Sequence, residues 1–141
     1  SACRPMFFIC ASMCFCCGAY FMFSMMSDYL GKAVYGGNPA AKPGSVSLEK
    51  YRAGVRTATW GYLVVSVTYL LFNLVHRRVL AYLGQKTEFV VVQVLLGGTM
   101  TGLALTCRLE FFFFLSVVAG LHRACRYVVP YAAASDVIQD E

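Results

Sequence analysis

Seven cysteines in a chain of 141 residues are its densest supply of side chains able to do chemistry. Cys10, Cys14 and Cys17 recur at i, i+4 and i+7, a spacing that lines one helix face. Thiolates so arranged suit a soft metal, but such a site takes about four ligands with a charged surround, and this stretch holds no histidine or carboxylate. The thiols therefore read as small apolar packing groups, and no metal or cofactor is expected. A disulfide from Cys3 to a partner or to Cys125 stays open, since both fall near one membrane face in the topology derived below. His76 and His122 have no nucleophile or carboxylate at a spacing that suggests a catalytic set. Ser66 and Ser116 lack the Gly-x-Ser-x-Gly elbow, and no glycine loop is built to cradle a phosphate. Without convergent titratable groups, neither an enzymatic activity nor a small-molecule substrate is expected. The short basic clusters Arg77–Arg78 and Arg123 with Arg126 suit phospholipid phosphates, cardiolipin among them, and a purely solvated role fits them equally.

The elements that carry these residues follow from composition. Hydrophobic residues make up 59% of the chain and charged ones 13%, whereas a soluble domain carries roughly 25% charged residues. Too few charges remain to coat a surface facing water. With a mean hydropathy of +0.63, the chain reads as a single all-α membrane domain over 1–141. Its net charge of +5 is scattered between apolar runs, so the contiguous basic patch that nucleic acid requires is missing.

A spanning helix needs roughly 20 predominantly apolar residues. Charge-free runs at 5–27, 57–75 and 89–107 meet that length, and a fourth span at 111–129 follows if His122, Arg123 and Arg126 snorkel toward headgroups; a half-buried re-entrant segment is the alternative. Pro130 marks the expected end of that fourth helix. The first run exceeds the roughly 7 to 15 residues of a signal core and is rich in bulky Phe and Met, so it reads as an anchor. No Arg-rich, Ser-rich presequence is present, which leaves any organelle address internal or already removed. Glycines and prolines from Gly36 to Gly44 disfavour regular helix in the first connection, with the second helix able to begin near Val46. His76 to Glu88 reads as a basic loop, and Arg108 to Glu110 as a tight turn joining a helical hairpin. Lys and Arg divide evenly between the two sides, so the positive-inside rule gives no orientation.

Within lipid, helices associate where small residues let backbones approach. Gly98 and Gly102 form a GxxxG that Gly97 extends, Ser116 and Gly120 repeat the spacing, and Thr57 with Gly61 supplies it once more. Four spans packed through these faces are the expected fold. Gln93, inside the third span, could hydrogen-bond across a helix pair or lie solvated near the interface.

The stretch from Gln85 to Gly102 carries a basic residue (Lys86), an acid (Glu88), an amide (Gln93) and then Gly97-Gly98-x-x-x-Gly102. That order resembles the mitochondrial inner-membrane family of the protein-import translocase subunits (Tim seventeen, twenty-two and twenty-three) and an accessory subunit of respiratory complex I. Glu88 stands two residues before the family's acidic position, which is Val90 here. Gly44 to Glu49 and Thr57 to Gly61 look like the complex I branch. The resemblance implies a multi-pass structural subunit of complex I (NADH:ubiquinone oxidoreductase) in the mitochondrial inner membrane. Its partners would be other membrane subunits and phospholipid, with the Phe111–Phe114 run turned toward either. A translocase subunit and a supernumerary subunit of another complex such as the ATP synthase are the alternatives. A translocase's polar groove would need buried acid, and only Ser66, Thr68, Asn73 and Gln93 lie within the spans, which favours a scaffold.

Overall fold

The computed structural model describes residues 3–139, and side chains from Cys10 to Arg126 except those at 12, 15, 16 and 22. The elements are α1 (Cys3–Ser24), α2 (Met26–Tyr29) running into a π turn (Leu30–Val34), α3 (Val46–Leu83), α4 (Gln85–Thr106) and α5 (Leu109–Gln139). Among the described residues, α3 and α4 are the helices long and apolar enough to cross a membrane, so four spans are not reached. Glu110, Arg123 and Arg126 interrupt the described part of α5, and the first expected span, 5–27, lies partly outside the described side chains.

Helix α3 begins where expected. Ser45 caps it by accepting from the Leu48 amide at 3.3 Å, a contact of about 1 kcal/mol. It then runs through the basic segment that reads as a loop in sequence. The segment His76–Leu83 carries His76, Arg77 and Arg78 and so reads as a loop in a membrane sequence, but Arg, Leu, Val and Ala there are compatible with helix, which runs on until Gly84. Gly84 sits at φ 73°, a left-handed conformation that a residue with a Cβ resists, and this single residue separates α3 from α4. At the other end of α4, Cys107 closes the helix at φ 50° with its amide donating to the Leu103 carbonyl at 2.8 Å, and α5 folds back along α4. Pro130 does not end α5, which continues to Gln139. A proline removes one helical hydrogen bond, and helices packed in apolar surroundings tolerate that loss.

Helix α5 is central: it packs along both α3 and α4, which touch each other little, and it also carries α1. The main core joins Leu30, Ala58, Leu96, Leu103, Phe112 and Leu115. Small residues bring α3 and α5 together. A Cβ at Gly120 would stand 2.7 Å from Thr68 Cβ and 2.8 Å from the Val65 carbonyl oxygen, and one at Gly61 would run into the Phe112 ring, with Ser116 Oγ at 3.0 Å. A second close approach joins the π turn to α3, where a Cβ at Gly54 would lie 2.6 Å from Gly31 Cα. The contact expected at Gly97 and Gly98 is not made among the described residues: a Cβ at either meets nothing within 4 Å, while one at Gly102 would stand 2.7 Å from the Phe111 ring. Phe112 is buried in the core, so only Phe113 and Phe114 of the aromatic run face outward.

Candidate functional site

Two polar constellations lie inside this apolar bundle. The first forms at the α3–α4 junction. His76 sits in the last turns of α3, Glu88 in the first turn of α4, and Cys125 on the facing side of α5. All three are buried, Glu88 to 1% exposure. His76 Nε2 lies 2.9 Å from Glu88 Oε1, and the Cys125 thiol donates to the same oxygen across 3.6 Å. The imidazole contact is close but lies off the ring N–H direction, so it makes no aligned hydrogen bond. The other carboxylate oxygen, Glu88 Oε2, is also buried without a hydrogen-bond partner among the described residues. Phe72, Phe89, Val92 and Leu121 pack with Cys125 into the second apolar cluster, and the Phe72 ring lies 5.1 Å from the imidazole.

Sequence reading misses this trio and counts no buried acid. His76 and Glu88 are twelve positions apart, and they meet only because a one-residue break at Gly84 folds the two helix ends together. The one usable signal is that glycine between a histidine and a glutamate in otherwise helical sequence. Cys10, Cys14 and Cys17, whose spacing alone suggests a soft metal, are exposed on α1.

The second constellation is a cleft of about 610 Å³ walled by α1, α3, α4 and α5. Tyr20 and Phe23 come from α1, Tyr62 from α3, and His122, Arg123 and Arg126 from α5. The Tyr62 hydroxyl donates to the Phe23 carbonyl at 2.6 Å and fixes one wall. The Arg126 guanidinium sits over the Tyr20 ring at 5.7 Å, and that of Arg123 over Tyr69 at 5.4 Å. These two arginines, expected at lipid headgroups, are thus placed against aromatic faces; Arg77 and Arg78 are exposed near the end of α3. His122 is 6% exposed, and its Nε2 has no hydrogen-bond partner among the described residues. Beside the cleft, a groove of about 390 Å³ between α1 and α4 is lined by Cys14, Gly18, Gln93 and Gly97, and the buried Gln93 Nε2 makes no hydrogen bond there among the described residues.

Comparison with known proteins gives a distant likeness. The chain is 24% identical over 121 residues to Proton-associated sugar transporter A of Homo sapiens, and 25% identical over 122 residues to the protein of that name from Rattus norvegicus. Each match covers 85% of this chain but 16% of the relative, so the chain spans a small part of the proteins it resembles. No family model matches it, and no solved structure does.

Proposed function

We propose that this chain forms part of the solute pathway of a membrane carrier, and that the solute is a sugar moved together with a proton. The observation that carries this is the His122 Nε2: a buried ring nitrogen with no partner among the described residues, on the wall of a cleft. A buried polar atom without a bond costs about 1–3 kcal/mol, so a site that leaves one open is built for a ligand that supplies the bond. The cleft's other walls match the same ligand. Tyr20, Phe23 and Tyr62 offer ring faces for the apolar C–H surface of a pyranose, and Arg123 and Arg126 offer donors for its hydroxyls. The distant likeness to transporters whose printed name joins a proton to a sugar supports the same solute class.

Radiolabelled hexose or disaccharide uptake by cells expressing the protein tests this. Saturable uptake that quickens when the outside is acidified is expected, with His122→Ala raising KM about tenfold, the equivalent of one lost hydrogen bond of about 1.4 kcal/mol. Uptake no greater than in cells without the protein, at verified surface expression, overturns the reading.

A second reading keeps the chain as a structural membrane subunit, of complex I, of an import translocase or of another mitochondrial inner-membrane complex such as the ATP synthase. The open small-residue face at Gly97 and Gly98 favours it, because a face shaped for close helix contact and left unused among the described residues suits a neighbouring helix. On that reading Arg77 and Arg78 hold anionic lipid such as cardiolipin.

A further inference from the structure

We infer that His76, Glu88 and Cys125 form a binding site for a single zinc-type divalent cation, separate from the sugar cleft and independent of the transport reading. Three donor atoms of the kinds zinc prefers, an imidazole nitrogen, a carboxylate oxygen and a thiol sulfur, all lie within 4.8 Å of one another in a buried site. Their spacing is near that of a shared metal: the sulfur–oxygen separation matches, and the nitrogen–oxygen one falls about 0.4 Å short. With Zn–N and Zn–O near 2.0–2.1 Å and Zn–S near 2.3 Å, tetrahedral geometry sets nitrogen and oxygen donors about 3.3 Å apart and sulfur and oxygen donors about 3.6 Å apart. The observed separations are 2.9 Å for His76 Nε2 to Glu88 Oε1 and 3.6 Å for Cys125 Sγ to the same oxygen.

Hydrogen bonding alone leaves His76 Nε2 and Glu88 Oε2 without partners among the described residues. The imidazole nitrogen is close to the carboxylate but not aligned with it, and Glu88 Oε2 is buried with no partner among the described residues. Buried polar atoms in folded proteins are satisfied in the great majority of cases, and acidic side chains are rarely fully buried unless paired or bound to a metal. A cation among the three donors takes the imidazole lone pair, the carboxylate and the thiolate, reaching Glu88 Oε2 where the carboxylate binds through both oxygens, and the thiol proton leaves to solvent as the metal binds. Water can fill the remaining position. The second apolar cluster around Cys125 limits the access of competing water.

The test is Zn2+ titration of the purified, chelator-stripped full chain in mild detergent, with bound metal counted by mass spectrometry after desalting, and Co2+ as the spectroscopic probe. One equivalent of zinc and a thiolate-to-cobalt charge-transfer band are expected. Cys125→Ser, nearly isosteric, removes the band and weakens zinc by at least the ten- to hundredfold that loss of even an outer-shell partner costs; Glu88→Gln weakens it comparably. A variant with Cys10, Cys14, Cys17 and Cys107 all changed to Ser, each an exposed thiol, keeps both signals and controls for adventitious binding at those cysteines. Zinc and the band retained by folded Cys125→Ser, or no zinc bound by the wild-type chain, overturns the proposal and leaves a hydrogen-bonded trio alone.

Discussion

Glycine does opposite work at different positions of this chain. At Gly120 an added methyl would press on the Val65 carbonyl and Thr68 Cβ, neither the free end of a flexible side chain, so backbone must move. Gly120→Ala is therefore expected to destabilise by about 1–3 kcal/mol, the usual range for overpacking. Gly97 and Gly98 are helix-interior glycines with open space around the missing Cβ, so alanine there stabilises α4 by about 0.5–1 kcal/mol through reduced backbone freedom in the unfolded state. Denaturation in mixed micelles followed by circular dichroism reads both signs, and a Gly120→Ala variant as stable as wild type contradicts the α3–α5 packing described. Sequence spacing identifies all these small residues alike. It cannot say which meet a neighbour inside the chain, because that depends on how α5 lies between α3 and α4. The same limit hides the His76–Glu88–Cys125 trio, whose members are ordinary one by one and become a site only when three helices converge.

Among the elements, the join between α2, its π turn and α3 rests on a small polar lock. Lys32 Nζ lies 2.8 Å from Asp28 Oδ2, and the Tyr51 hydroxyl donates to Asp28 Oδ1 at 3.0 Å. The hydrogen bond from Lys32 chiefly, with that from Tyr51, holds the Asp28 carboxyl below the usual carboxylate range. Because the folded-state pKa is depressed, the lock is whole above the ordinary carboxylate pKa and is lost as pH falls through the lowered value. Acidification from about pH 6 to about pH 2 should lower amide-exchange protection, taken against the intrinsic rate at each pH, across Leu30–Val34, and Asp28→Asn should leave protection there low and insensitive to pH over that window. Wild-type protection that ignores the drop removes the lock from the account. Part of this scale is legible in sequence: the early start of α3 near Val46 and a tight break at Arg108 follow from local residues, although the expected turn Arg108–Glu110 is already helical from Leu109. The π turn and the continuous helix through His76–Leu83 are not legible, since charge patterning reports where a segment meets water rather than how its backbone folds. Pro130 misleads for a related reason, a steric penalty that the rest of a long helix absorbs.

For the whole molecule, the telling feature is what the fold leaves uncovered. Leu70, Leu71 and Leu74 on α3 and Val94 and Leu105 on α4 are exposed, as suits helices facing acyl chains. The Gly97–Gly98 face differs, since lipid covers it no better than it covers leucine, while a partner helix gains by close approach. Whether that helix belongs to the same polypeptide, as in a carrier longer than this chain, or to a neighbouring subunit is decided by Gly98→Leu on native gels after mild detergent extraction. If a separate subunit docks there, wild type runs in a large particle and the variant runs alone with its own helical content unchanged. A particle carrying NADH dehydrogenase activity supports the complex I reading, and co-migration with presequence receptors supports the translocase. If the face closes within one carrier, both proteins run at the same small size, and the variant loses sugar uptake instead. Equal particle size together with equal uptake would mean that nothing packs at Gly98, and that bilayer lipid alone covers the open side of α4.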